Sequence, residues 1–127
     1  MSYEFYKVIH LLGIVTLFLT IGGAAFLGLA IGKTTSAEDE KSLRKLLSIL
    51  HGVAMLIILV AGFGLMARLG MMGGWPTWIY GKIALWLAFG ASVGVLKKKP
   101  ESGRMWIVLA PVLGATAAYL AVAHPGG

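Results

Sequence analysis

The chain has 127 residues, of which 58% are hydrophobic, and it carries a formal net charge of +6 at pH 7. A soluble domain of this size could not bury so much apolar surface. Because it contains no cysteine, disulfides, thiolate-bound clusters and cysteine nucleophiles are excluded. The composition predicts an integral membrane protein that forms one domain over residues 1–127.

Four apolar segments follow one another along the chain. A hydrocarbon core about 30 Å thick needs roughly 20 helical residues, each rising 1.5 Å, to cross it. All four segments reach that length. The sequence therefore predicts an all-α fold, a four-transmembrane-helix antiparallel bundle, with helices at 6–32, 43–69, 77–96 and 104–123.

Local signals refine the connections between these helices. Ser36 followed by acidic residues at 38–40 has the pattern of a helix N-cap, which predicts a helix start at the membrane surface. Trp75 and Trp78 follow a Gly-rich turn and are predicted to lie in the headgroup belt. Pro111 is expected to kink the last helix.

The basic residues show which way the chain crosses the membrane. Three of them lie at the opposite helix ends, whereas eight lie in the first and third connections: Lys33, Lys41, Arg44, Lys45, Lys97, Lys98, Lys99 and Arg104. Positive residues stay cytoplasmic, so the pattern predicts a multi-pass protein of a bacterial-type cytoplasmic (inner) membrane with both termini outside. The charge excess is then a topology signal and not evidence for nucleic-acid binding.

Small residues recur at four-residue spacing, which lets helix backbones approach closely in lipid. We expect these rows to pack the helices of one chain together, with a dimer seam or clearance for a flat cofactor as alternatives. The rows are Ala24, Gly28 and Gly32; Gly90 and Gly94; and Ala110, Gly114 and Ala118.

Four ionisable residues within or at the ends of the spans are candidate functional residues: His10, His51, His124 and Lys82. An ionisable group at membrane depth costs free energy unless it is paired. His10 shares a helix face with small residues, which predicts that it points into the bundle. Neutral imidazole is the usual axial ligand of haem b, although a histidine bonded to a backbone carbonyl or solvated at the interface is the alternative.

Helix geometry predicts that His10 and His51 lie at different depths, roughly a dozen ångströms apart along the membrane normal. That is too far for two ligands of one iron. A haem at the outer end would instead use His10 with His124 or Lys82, and its propionates would lie near Lys82 or Arg68. His51 would then serve a second site, or none.

Three short segments carry a resemblance to a known family. They are FYKVIHLLGIVTLF, a Trp–x₃–Lys–x₂–Leu pattern over 78–85, and the last-helix segment WIVLAPVL. Together they resemble the HemJ-type protoporphyrinogen oxidases and the related CopD-like four-helix membrane proteins. The resemblance implies that His10 ligates haem b and that Lys82 is a functional, catalytic partner.

Three functions remain open on the sequence alone. The first is a small membrane haem-b protein, an oxidoreductase or electron carrier, with a quinone or a porphyrin as partner. The second is a non-catalytic subunit of a larger membrane complex, or a homo-oligomer. The third is copper handling, because Met66, Met71 and Met72 occur with His10 and His124 at the outer end and suit Cu(I).

Overall fold

The computed structural model describes residues 2–30, 36–68, 70 and 74–123. Regular structure in these ranges is helical, which confirms the predicted all-α bundle. The four long helices are α1 (Tyr3–Ala30), α2 (Ala37–Arg68), α3 (Thr77–Lys98) and α4 (Gly103–Ala123), and a short 3-10 helix (Pro100–Ser102) precedes α4. His124, Met71, Met72 and the predicted end of the first helix at 32 lie outside the described residues.

All four helices are long and apolar enough to cross a membrane. Their large apolar side chains face outward to an extent that water would not tolerate: Phe26 is 70% exposed and Val122 is 85% exposed. The interior combines large apolar side chains with small ones, and Ala25 and Ala54 are fully buried. This arrangement matches a lipid environment and indicates a multi-pass membrane protein.

The second helix begins at Ala37, six residues before the predicted start of its span. The Ser36 hydroxyl accepts a hydrogen bond from the Asp39 amide at 3.2 Å, as the N-cap pattern predicts. An ion pair of 2.8 Å between Glu40 and Arg44 stabilises the first turns. The expected surface helix and the span are therefore one continuous helix, since nothing between them breaks the backbone pattern.

The first helix lies at the centre of the packing. It contacts α2 along much of its length and also packs against α3 and α4, whereas α2 and α4 do not touch within the described ranges. Ala24 and Ala110 from the predicted small-residue rows are buried between helices. At Gly103, a Cβ would lie 2.7 Å from the Ala25 carbonyl oxygen, so glycine permits this approach of α4 to α1.

One aromatic prediction is wrong. Trp78 is only 7% exposed and packs with Met66 and Ile79 inside the bundle, so it does not face the headgroups. Trp78 and Tyr80 are two positions, about 200°, apart on α3, so Trp78 turns inward where Tyr80 faces outward, with its ring 5.9 Å from that of Trp75.

We predict that Gly103→Ala destabilises the bundle by about 1–3 kcal/mol, because the new methyl group must push α1 and α4 apart. The measurement is the free energy of unfolding in mixed detergent micelles. Gly22→Ala is the control, since a Cβ at Gly22 meets nothing within 4 Å. Equal stability of the two variants would contradict the observed approach.

Candidate functional site

His10 on α1 is held by a hydrogen bond to the next helix. Its Nδ1 lies 3.1 Å from the carbonyl oxygen of Ile58 on α2. A carbonyl only accepts, so Nδ1 carries the hydrogen and the neutral ring keeps its lone pair on Nε2. That second nitrogen forms no hydrogen bond with the described residues, and the His10 side chain is half-buried. His10 thus presents an imidazole lone pair that has no partner among them.

One glycine allows this contact between α1 and α2. A Cβ at Gly13 would lie 2.8 Å from the Ile58 side chain, so the two helices approach closely one turn below His10. Gly62 faces the imidazole itself, where a Cβ would lie 3.5 Å from the ring carbon Cε1, in ordinary van der Waals contact. The absence of a side chain at Gly13 therefore lets the ring reach the α2 backbone.

Lys82 on α3 lies close enough to His10 for its charge to act on the imidazole. It is half-buried, and within the described ranges it forms no hydrogen bond or ion pair. Arg68 is exposed in the last turn of α2, at the same end of the bundle. Lys82 therefore lies within electrostatic range of His10, with Arg68 at the same end, while His124 is outside the described residues.

His51 occupies a second polar position, deep inside the bundle. It is only 6% exposed, and its Nδ1 lies 3.3 Å from the hydroxyl oxygen of Thr20 on α1. The Thr20 hydroxyl itself donates to the Leu17 carbonyl at 2.8 Å, so it is positioned to accept from His51. The backbone of Phe89 and Gly90 also faces this ring, yet Nε2 forms no hydrogen bond within the described chain.

The two histidines lie at different levels. His51 meets α1 at Thr20, ten residues beyond His10, which is about 15 Å of helix. One iron cannot bridge them, in agreement with the expected difference in depth.

Sequence reasoning missed the hydroxyl and indole groups that tie the helices together. Thr20 and Ser92 are fully buried, and the Trp86 indole donates to the Met55 carbonyl at 3.1 Å. The signal available in the sequence was a hydroxyl residue inside an otherwise apolar span. A Thr or Ser hydroxyl donates a hydrogen bond to a backbone carbonyl one turn earlier, and its oxygen can then accept a hydrogen bond from a neighbouring helix.

In the part of the chain that the structure describes, no three His, Cys, Asp or Glu residues come together as a metal-binding group. Of the methionines considered for copper, Met66 is buried among aromatic and aliphatic side chains. With so few protein ligands close together in the described residues, a metal centre here would need most of its ligands from a non-protein group.

No family model, curated protein or solved structure matches this chain.

We predict that Thr20→Val lowers the free energy of unfolding by about 1 kcal/mol, because the buried Nδ1 of His51 loses its partner. Thr16→Val is the matched control, since Thr16 bonds only the Leu12 carbonyl of its own helix. Unfolding in mixed micelles measures both. A Thr20→Val/His51→Leu double variant should recover part of the loss; no recovery would count against the pairing.

Proposed function

We propose that this protein binds haem b through the Nε2 atom of His10 and acts in electron transfer within the membrane. The observation that supports it most is the hydrogen bond from Nδ1 to the Ile58 carbonyl. Histidines that ligate a metal usually donate their other ring N–H to such an acceptor, which fixes the tautomer and the ring orientation.

The residues around His10 fit a porphyrin in their chemistry. Haem iron takes four ligands from the macrocycle and needs only one or two from protein, so the lack of a multi-residue metal cluster in the described ranges is no obstacle. Nε2 forms no hydrogen bond within the described residues and is the atom that would ligate the iron.

The cations at this end suit the carboxylate side arms of a haem. Lys82 lacks an anionic partner in the described structure and lies within electrostatic range of His10. A lysine in an apolar span is stabilised by a nearby carboxylate, and Arg68 offers a second positive group at the end of α2. When bound, the haem would supply one-electron redox chemistry, for which a membrane quinone is the fitting partner.

The decisive measurement is the absorption spectrum of the protein purified in detergent after expression with ample haem. We expect a Soret band that His10→Ala abolishes and that added imidazole restores in this variant. His51→Ala is the control and should retain the band, because His51 lies at another level. No Soret band in the unaltered protein overturns the proposal. Co-purifying stoichiometric proteins would then favour the subunit hypothesis, and bound copper would favour copper handling.

A second prediction concerns Lys82. Removing its charge by Lys82→Gln should lower the reduction potential of the bound haem by tens of millivolts, because a nearby cation stabilises the reduced iron; about 59 mV corresponds to a tenfold change in a one-electron equilibrium. The potential is measured by redox titration of the Soret band. Lys98→Gln removes the same charge from an exposed position at the opposite end of the bundle and should leave the potential unchanged.

A further inference from the structure

A charged groove lies between α2 and α3 at the end of the bundle opposite His10. It is an open hollow of about 620 Å³. Its wall carries Lys41, Arg44 and Lys45 from α2 and Lys97 from α3, with Ser48 and Ile49 below them. Four cations thus converge on one opening at the boundary between the apolar spans and the charged connections.

This opening is short of negative charge. Glu40 is the acidic residue in its lining, and its carboxylate is engaged by the Arg44 guanidinium at 2.8 Å. The three lysines form no ion pair in the described structure. Cations held side by side repel one another, so an anion between them stabilises the arrangement.

Below the charged opening, the groove becomes apolar and narrow. A crevice continues from Arg44, Ser48 and Lys97 inward to side chains of all three neighbouring helices: Ala24, Leu47 and Val93. The charged hollow and this crevice share those three lining residues, and the crevice itself encloses only about 10 Å³.

Two glycines lie about one turn inward from residues that line the groove, with open space beside each. Gly52 lies about one turn beyond Ser48 on α2, and Gly94 lies about one turn before Lys97 on α3; a Cβ at either would meet nothing within 4 Å. The groove closes where the Met55 side chain reaches Gly90, at 3.1 Å from a Cβ placed there. From Lys97 to Gly90 the trough is about 10 Å long.

We propose that this groove binds one anionic glycerophospholipid. Its phosphate would lie among Lys41, Lys45 and Lys97, and the upper part of one acyl chain would lie in the trough beside Gly52 and Gly94. A basic opening that continues into an apolar trough matches an amphipathic anion, whereas free phosphate would use only the charged part. This inference is independent of haem binding, which concerns the other end of the bundle.

Native mass spectrometry tests the proposal. The full-length chain is reconstituted in vesicles of phosphatidylcholine with a minority of phosphatidylglycerol and then extracted in mild detergent. We expect one phosphatidylglycerol retained per chain and no retained phosphatidylcholine. Equal retention of the two lipids overturns the proposal, because the cations would then have no part in selection.

The charged wall is tested with two variants of equal net charge. Lys45→Gln/Lys97→Gln should weaken phosphatidylglycerol retention by more than tenfold, since each cation near an anionic lipid contributes about fivefold. Lys98→Gln/Lys99→Gln is the matched control: both residues are exposed next to the groove but do not line it. Equal losses in the two variants would mean that overall charge, and not the groove, retains the lipid.

The trough is tested without changing charge. Gly94→Leu should fill it and abolish retention of the lipid, whereas Gly22→Leu places the same side chain into open space on α1 and should have no effect. Retention that survives Gly94→Leu and is displaced by inorganic phosphate would identify a simple anion site and overturn the lipid assignment. Glu40→Gln should increase retention several-fold, because it frees Arg44.

Discussion

The close contact between α1 and α2 is the constraint on which the candidate site depends. Where Gly13 lacks a side chain, the helices approach closely enough for the His10 ring to bond the Ile58 carbonyl. Farther along, the same two helices are joined by Thr20 and His51. Hydrogen bonds of this kind align helices in lipid, where apolar surface gives little preference for one helix over another. These two contacts fix the rotation of α1 about its axis and therefore the direction in which Nε2 of His10 points.

The two ends of the bundle have different chemistry for a simple reason. Near His10 the polar groups are few, and each stands alone on its helix. Such a group can contact a neighbouring helix only where the two backbones lie close together. At the opposite end the cations arise from consecutive turns of α2 and from the last turn of α3, and they share one groove. One end therefore suits a single coordinating contact, and the other suits an extended charged surface.

The four helices could be predicted because each span is an apolar run bounded by charges or by glycine and proline. The start of α2 was placed too late because its first turns are polar, so hydropathy did not mark them as part of the same helix, although Ser36 did mark the cap. The Thr20–His51 pair could not be predicted, since it depends on the axial register between α1 and α2. The orientation of Trp78 was also not predicted, because closeness to a helix end does not determine whether a side chain faces the bundle or its surroundings.

The uninterrupted length of α2 has a mechanical consequence. Its 32 residues extend about 48 Å, well beyond the roughly 30 Å of hydrocarbon that it has to cross. The charged first turns are therefore a rigid arm attached to the span, without a joint. Any tilt of the span therefore moves Lys41 and Lys45 with it, because they lie on the same unbroken helix.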